Sequence, residues 1–272
     1  MDKDTVYHFL KGFLDNDVSN HISAEAARKP EYAGIRFFND PIVGYAAAED
    51  DYIQSLVRNK EANLDLTQPA EWLPGAKTVI SYFLPFTEEI KAENRKGGRP
   101  SDIWQQARVN GQECLIKLSQ AIAAELEKNG FGAVNPMSDP RMTIFMKFDE
   151  HPKSLYTSNW SERHIAYAAG LGTFSLSKGV ITEKGMAGRF GSVVTSLPLP
   201  LTPRAYKTLT EYCTECGACI QRCPGRAISF EKGKDHKLCN EYLLAVSTPD
   251  GAFYGCGKCQ CAVPCESAVP VS

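Results

Sequence analysis

The chain has 272 residues, of which 43% are hydrophobic and 23% charged, and its formal net charge at pH 7 is −2. This composition is typical of an ordinary globular protein and excludes an intrinsically disordered one. So balanced a charge gives no general attraction to nucleic acid, and no apolar run reaches the roughly eighteen residues of a membrane span. We therefore expect neither a nucleic-acid partner nor a membrane.

The first half of the chain predicts helices interleaved with strands. Apolar residues recur at helical spacing over residues 4–15, and a second helix is predicted over 46–58. Residues 76–86 are rich in β-branched and aromatic side chains and predict a strand. A long polar and apolar pattern over 101–129, ending at a glycine, predicts a helix with a cap at each end.

The second half of the body continues in the same way. Residues 141–148 predict a short strand, and 161–169 a helix with Ser161 as N-cap and Glu162 in its first turn. Residues 180–182 and 190–197 predict two more strands. Prolines at 198, 200 and 203 mark a boundary, so we expect an α+β body over residues 1–200 and a ferredoxin-like module over 201–272.

Nine of the ten cysteines lie in the last sixty residues. Four follow the spacing C-x2-C-x2-C-x3-C-P, which is the loop that binds a [4Fe–4S] cluster in bacterial ferredoxins. In two-cluster ferredoxins the fourth cysteine of this loop serves the neighbouring cluster, so the spacing predicts two [4Fe–4S] clusters.

Two clusters need eight thiolates, and this tail offers nine. We assign cluster one to Cys213, Cys216, Cys219 and Cys265, and cluster two to Cys223, Cys239, Cys256 and Cys259. Cys261 is then spare. The alternative closes cluster one with Cys261, but a single residue separates it from Cys259, which makes it hard for the two thiolates to reach different clusters.

Structural zinc and disulfide bonds are the other uses of so many cysteines. Zinc ribbons pair two separated C-x2-C knuckles, and four thiols within eleven residues ending in Cys-Pro fit that plan poorly. Disulfides are disfavoured because the chain opens with Met-Asp-Lys-Asp and no apolar secretory stretch, from which we expect a cytoplasmic protein. Cys114 stands alone in a helical pattern and predicts a buried, inert thiol.

A body of this size fused to a cluster module usually holds the group that receives the electrons. Its glycines concentrate in residues 170–195. Gly170-Leu-Gly172 follows a helix and has no third glycine, so it is not a dinucleotide-binding motif. Such glycines let the backbone approach a large flat ligand closely, although a glycine-rich hairpin without a ligand is the open alternative.

Three runs of sequence resemble one known family. They are 161–177 (SERHIAYAAGLGTFSLS), 188–199 (GRFGSVVTSLPL) and 254–260 (YGCGKCQ). Together with the ferredoxin loop and in this order, they resemble the epoxyqueuosine reductase family, whose relatives include the reductive dehalogenases. Both are cobalamin-dependent iron–sulfur enzymes, and the resemblance covers roughly residues 130 to 266.

The resemblance implies a nitroreductase-like body that binds cobalamin beside a cluster, which we expect to be cluster one. Electrons would come from an external donor of ferredoxin or flavodoxin type. The turn 170–177 and the strand 189–195 would line the corrinoid. The residues implied as its binding site are Gly170, Gly172, Thr173, Ser175, Arg189, Gly191 and Ser192.

The chain also departs from the family pattern. Epoxyqueuosine reductases carry Val-Asp-Thr-Gly-Pro before the glycine turn, and Tyr156 stands here where that aspartate would be. A phenol can donate a proton, so Tyr156 is the candidate catalytic acid, with simple packing beside Trp160 as the alternative. Asp149-Glu-His151-Pro-Lys-Ser154 is a near match to the D-x-H-x-x-G of cobalamin-ligating histidines, but serine replaces its glycine.

The chain ends seven residues after Cys265, without the helical repeats of tRNA-acting members, so we do not expect tRNA as substrate.

Three functions remain open. The first function is a reductase that passes electrons through both clusters to a corrinoid and then to a small electrophilic substrate. The second is a protein that reduces or carries a corrinoid for another enzyme. The third is a plain electron-transfer protein.

Overall fold

The computed structural model describes residues 1–57, 59, 65–146 and 156–271. Its helices are α1 (Lys3–Asn16), α2 (Asp51–Leu56), α3 (Pro69–Trp72), α4 (Glu88–Arg95), α5 (Asp102–Lys128), α6 (Glu162–Ala168), α7 (Ala218–Arg222) and α8 (His236–Val246). Its strands are β1 (Ile42–Ala47), β2 (Thr78–Pro85), β3 (Ala133–Val134), β4 (Ile144–Met146), β5 (Tyr156–Ser158), β6 (Gly172–Phe174), β7 (Val180–Thr182), β8 (Gly188–Thr195), β9 (Ile228–Ser229) and β10 (Gly233–Lys234). None of the helices in these ranges is both long and apolar enough to cross a membrane.

An antiparallel sheet in the order β1-β2-β8-β3 forms the centre of the body. Every residue of β2 is buried, because β1 and β8 flank it and helices cover both of its faces. Ile80 of β2 lies opposite Tyr45 of β1 and Val193 of β8. The strands predicted over 76–86 and 190–197 are therefore confirmed as neighbours in one sheet.

Two helices cover the sheet from opposite sides. On one face, α5 packs Leu115, Leu118 and Ile122 against Ile80, with α1 behind it. On the other face, α6 joins a second apolar cluster that includes Trp72, Trp160, Ile165 and Val194. Each buried side chain of this size contributes roughly 1.5–3 kcal/mol, so both faces help to fix the positions of β8 and α6.

The predicted helix over 46–58 is wrong in its first half. Ala46 and Ala47 belong to β1, where Ala46 pairs with Val79 of β2, and the helix begins only at Asp51. Asp50 caps it by accepting hydrogen bonds from the backbone N–H groups of Tyr52 and Ile53. Pairing with a buried strand outweighs the helix preference of alanine here.

The longest prediction is confirmed. The helix expected over 101–129 is α5, with Ser101 accepting a hydrogen bond from the Trp104 N–H at 3.3 Å. Gly111 is buried within it, where an added Cβ would lie 3.0 Å from the ring of Phe38. Glycine at this position lets α5 approach the Phe37–Phe38 segment closely.

The cysteine-rich segment packs tightly on the end of α4. Asn94 donates from its amide to the Cys256 carbonyl at 3.0 Å. The backbone carbonyl of Asn94 accepts hydrogen bonds from Lys258 Nζ at 3.0 Å and from Arg222 Nη2 at 3.1 Å. Beside it, Arg95 pairs with the buried Glu266 carboxylate. The last turn of α4 thus anchors both cysteine-bearing loops to the body.

Two thiol sets and the cavities beside them

Four thiols line a narrow cavity of about 20 Å³ between the ferredoxin loop and the loop after β6. We call them the first thiol set: Cys213, Cys216, Cys219 and Cys265. Gly217, with φ +73°, turns the loop into α7, which carries Cys219. Opposite, the Leu176 N–H donates to Cys213 Sγ at 3.4 Å. The structure thus brings together the four residues that the sequence assigned to cluster one.

A second group of four thiols lines a larger cavity of about 230 Å³. This second thiol set consists of Cys223, Cys239, Cys256 and Cys259. Cys223 Sγ accepts a hydrogen bond from the Ala227 N–H at 3.3 Å. The thiols of each set surround a cavity and do not converge on one position. In the described ranges, no three His, Cys, Asp or Glu residues are placed to hold a single metal ion.

An aromatic wall closes the second cavity on the side of the body. Phe86 and Trp104 form it, with ring centroids 5.1 Å apart. Gly257, with φ +61°, lies against this wall, and a Cβ there would come within 2.0 Å of the indole. The loop between Cys256 and Cys259 therefore needs glycine to sit this close to α5.

Burial makes these thiols poor acids. It raises the pKa of Cys219 to about 11 and the pKa values of Cys256 and Cys265 to about 12, and neighbouring thiolates add to each shift. For Lys234, burial lowers the ammonium pKa, but the Cys259 and Cys239 thiolates outweigh it and raise the pKa overall. Metal binding here must release thiol protons, and Lys234 is a cation placed beside the resulting negative charge.

The two remaining cysteines lie apart from both sets. Cys261 is fully buried among core residues of the body, where the Asn94 amide donates to its Sγ at 3.7 Å. Cys114 is buried in α5, and burial raises its pKa to about 11. Neither residue lines the cavities of the two thiol sets.

A cavity of about 460 Å³ adjoins the second thiol set. We call it the cluster-side cavity. It lies between β8, the start of α6 and the cysteine-rich segment, and it shares part of its lining with the second thiol cavity: Arg108, Gly188, Arg189, Lys234, Leu243, Cys259 and Gln260. A ligand in this cavity would therefore be a direct neighbour of whatever the second thiol set binds.

Several polar atoms of this cavity are buried and unpaired. Both carboxylate oxygens of Glu162, Nε of Arg189 and Oδ1 of Asn135 have no hydrogen-bond partner among the described residues. Burial raises the pKa of Glu162 to about 8, and the nearby Ser192 hydroxyl and Arg189 guanidinium offset only part of this effect. The hydroxyl is close enough to lower the pKa but does not form a well-shaped hydrogen bond. Buried groups of this kind are normally satisfied, so they indicate a polar ligand.

The guanidinium of Arg189 is also shielded from water, although its charge is opposite to that of Glu162. Burial, followed by repulsion from Arg108, lowers the pKa of Arg189 to about 9. Its Nη2 donates to the Gln112 side chain, whereas Nε is left without a partner. Arg189 and Glu162 thus face one space from β8 and α6, each with its charged form disfavoured.

A second, larger cavity of about 630 Å³ lies next to the first. The two share Met137, Glu162 and Arg163. We call it the outer cavity. Most of its wall is apolar or aromatic, and one end carries Lys178 and His236. Glu162 therefore contributes to the walls of both cavities.

Only part of the predicted corrinoid site lies on these walls. Arg189 and Gly191 line the cluster-side cavity, and Ser175 lines the outer cavity. Ser192 is buried just behind, where its hydroxyl accepts a hydrogen bond from the Trp160 indole at 3.0 Å.

The remaining predicted residues line neither cavity. A Cβ on Gly172 would lie 1.8 Å from the Ile181 carbonyl, so glycine serves the β6–β7 hairpin there. Thr173 accepts a hydrogen bond from the Tyr212 N–H at 2.8 Å. Gly170 has φ +80° and ends the turn after α6. The glycine turn thus supports the cluster loop next to it and does not face the large cavities.

The expected contact between corrinoid and cluster one stays a prediction. The sequence interpretation placed the corrinoid beside cluster one, yet no cysteine of the first thiol set lines either large cavity. Cys259 of the second set does. The loop of residues 175–177 separates the first set from these spaces, because it contributes to both walls.

Tyr156 is described by its backbone, which pairs with Met146 in the β4–β5 hairpin. Its predicted role as an acid stays a prediction. Asp149, His151 and Ser154 lie outside the described residues.

Sequence reasoning missed three polar residues of the site. Glu162 was read only as a favourable first-turn residue, and Arg163 not at all, although both stand in the run that carries the family resemblance. Their presence in that run, in a segment otherwise rich in buried alanine, was the available signal. Lys234 carried no such sequence signal, since nothing in its local pattern distinguishes it from a surface lysine.

Comparison with known protein families gives an iron–sulfur match. Residues 206–229 match the 4Fe–4S binding domain family. This range contains all four cysteines of the ferredoxin loop. A ferredoxin-like protein from the nif region of Rhizobium leguminosarum is 40% identical over 48 residues, which is 16% of this chain and 75% of that protein.

Longer matches extend into the body. Epoxyqueuosine reductase of Bacillus cereus is 25% identical over 248 residues, which is 82% of this chain and 60% of the relative. The enzyme of Vibrio cholerae is 27% identical over 224 residues, 75% of this chain and 54% of the relative. This chain is similar to epoxyqueuosine reductases. It spans about three fifths of the length of the first of these relatives.

Solved structures agree in fold. A crystal structure of selenomethionine-labelled epoxyqueuosine reductase superposes with a TM-score of 0.51 at 16% identity, covering 83% of this chain and 61% of the other. A catabolic reductive dehalogenase in complex with 3-bromo-4-hydroxybenzoic acid gives 0.54 at 15% identity, covering 98% and 37%. The resemblance to the epoxyqueuosine reductases, with reductive dehalogenases as structural relatives, is therefore confirmed, and the mixed helix and strand body has their fold.

Proposed function

We propose that this chain is an iron–sulfur reductase in which two [4Fe–4S] clusters pass electrons to a corrinoid in the cluster-side cavity, and from there to a small electrophilic substrate. One observation carries the proposal: the cavity of the second thiol set and the cluster-side cavity share a wall that includes Cys259 and Arg189. Electron donor and acceptor would then be in contact through protein side chains.

The two thiol sets suit two cubanes. Each offers four thiols around a space, and each has a backbone N–H aimed at a sulfur, the kind of bond that tunes cluster potential. The first cavity is narrow, so a cubane there requires its thiols to turn outward, and the exposed Cys216 has room to do so. Lys234 would compensate part of the charge of the second cluster.

Exposure favours one direction of electron flow. Cys216 of the first set is exposed, whereas Phe86 and Trp104 cover the second set. An external ferredoxin- or flavodoxin-type donor would deliver electrons to the first cluster. They would pass to the second cluster and then across the shared wall.

The unpaired polar atoms of the cluster-side cavity fit a corrinoid. A corrin ring is broad and mostly apolar, with amide groups at its edge. Glu162 and Asn135 can accept hydrogen bonds from such amides, and Arg189 Nε can donate one. A bound corrinoid supplies a cobalt centre that can take up electrons and react with an electrophile. The residues named here would bind it and hold it beside the second cluster.

The outer cavity is what favours a reductase over a corrinoid carrier. A carrier needs one ligand space, and this body has two that share part of their walls. Tyr156 is our proposed proton donor to the substrate. In a reductase, Tyr156→Phe would leave iron and corrinoid content unchanged and slow only a turnover that consumes substrate.

Cofactor analysis tests the proposal. After anaerobic reconstitution we expect about eight iron and about eight sulfide per chain, and retention of hydroxocobalamin on a desalting column. About four iron would refute the second cluster, and zinc in place of iron would refute both. Full iron content without cobalamin retention would leave an electron-transfer protein.

A further inference from the structure

The cavity of the second thiol set has cationic side chains in its wall. Arg108 of α5, Arg189 of β8 and Lys234 of β10 line it together with the four thiols. The described residues that line this cavity include no aspartate or glutamate. Because the three cations come from three separate elements, the positive charge belongs to the folded cavity and not to a local run of sequence.

The cavity of the first thiol set has a different character. Among the described residues no lysine or arginine lines it, and its charged side chain apart from the thiols is the exposed Glu215. Hydrogen bonds to sulfur do not balance this difference. In the described ranges each set receives one from a backbone N–H, at Cys213 in the first set and at Cys223 in the second. The two cavities therefore differ chiefly in charge.

Lys234 is a cation whose charge acts on a thiol of the second set. Burial raises the pKa of Cys259, and the ammonium of Lys234 opposes that rise. In the first set burial also raises the pKa values of Cys219 and Cys265, and the charges that add to the rise are those of neighbouring thiolates. A negative charge on the second set thus has a lysine to stabilise it.

A fixed positive charge makes a neighbouring cluster easier to reduce. A cubane with four thiolate ligands is an anion, and reduction adds one more negative charge, which nearby cations stabilise. Phe86 and Trp104 cover the second cavity and exclude water, which by itself disfavours the added charge. The same cover weakens the screening of the three cations by solvent and salt, so their attraction is the larger effect.

We propose that Arg108, Arg189 and Lys234 give the second cluster a more positive reduction potential than the first, with Lys234 as the principal tuning residue. One electron then leaves the reduced first cluster and enters the oxidised second cluster, the external donor reduces the first cluster again, and no proton is transferred. Electrons consequently collect beside the cluster-side cavity. This inference rests on the proposed function, because it requires both clusters.

The test is a redox titration of the reconstituted protein, followed by electron paramagnetic resonance. Cys265→Ser identifies the signals, since the cluster that remains in this variant is the second. In wild type we expect that cluster to have the more positive midpoint potential. Lys234→Met should move this potential alone to a more negative value, by at least about 59 mV, which is a tenfold change in a one-electron equilibrium.

Further variants separate the charge of Lys234 from its packing. Lys234→Arg keeps the charge and should retain the wild-type potential. Lys232→Met removes an exposed lysine of the same segment, outside the cavity wall, and should change neither potential. Lys234→Gln replaces Lys234→Met in the comparison if the methionine variant binds less iron.

A second cluster with the lower potential in wild type would overturn the proposal, and so would unchanged potentials in Lys234→Met. A Lys234→Arg variant that shifts as far as Lys234→Met would show that the lysine acts through packing, which refutes the argument from charge. Iron content separates these failures from failure of the proposed function. About four iron per chain refutes the second cluster and this inference with it, whereas about eight iron with the reverse order of potentials refutes this inference alone.

Discussion

Glu162→Gln should remove a pH dependence from the stability of the cluster-loaded, corrinoid-free protein. Burial raises the pKa of Glu162 from 4.5 to about 8. Between those values the folded protein holds a proton that the unfolded chain releases, so the free energy of unfolding falls as pH rises through this window. At about 1.36 kcal/mol per pH unit, the full shift from 4.5 to about 8 sets an upper limit of about 5 kcal/mol. Water in the cavity screens the charge, and we expect about 2 kcal/mol.

The assay is the apparent melting temperature at about pH 5 and at about pH 8.5. For a chain of this size 1 kcal/mol corresponds to about 2–4 °C, so wild type should lose about 4–8 °C more than Glu162→Gln between the two pH values. Glu127→Gln, at an exposed position of α5, serves as the matched control and should behave as wild type. Parallel changes in wild type and Glu162→Gln would show that the carboxyl is hydrated in the folded protein and that the reasoning from burial is wrong.

Three further substitutions separate the parts of the site. Cys261→Ser should leave iron content unchanged, and Cys265→Ser should halve it, as measured by iron analysis after reconstitution; the reverse result would exchange their roles. Gly172→Ala should lower iron in the first set, because its Cβ would meet the Ile181 carbonyl behind that loop; unchanged iron would show that the hairpin adapts. Arg189→Gln should weaken cobalamin retention without changing iron content, and equal retention would place the corrinoid elsewhere.

The main elements of the body could be read from the sequence because their patterns are local. Strand 76–86 and helix 101–129 each carry a strong periodicity of their own. Ala46 and Ala47 could not be read correctly, since their conformation is set by pairing with Val79 and Thr78 some thirty residues away. Helix α4 was missed because its apolar face is short, with Ile90 as its buried hydrophobic residue.

The residues of the site that could be predicted are likewise those with a local signal in the sequence. Cysteine spacing is a local signal with a geometric meaning, and the structure groups those thiols as the spacing indicated. The role of Gly172 could not be read, because a glycine needed for hairpin packing and one needed for ligand approach look identical in sequence. Glu162 becomes notable only when folding buries its carboxylate, and Arg163 only when folding places it on the walls of both large cavities.

If the proposed function holds, the anchoring of the cysteine loops on α4 has a consequence for electron tunnelling, whose rate falls steeply with distance. Asn94 holds the backbone at Cys256 and the sulfur of Cys261, and its carbonyl is held in turn by Lys258 and Arg222. These bonds tie the loop that carries Cys256 and Cys259 to the body, which also forms the cluster-side cavity. In the proposed electron path, one asparagine at the end of a helix would therefore help to hold the tunnelling distance constant.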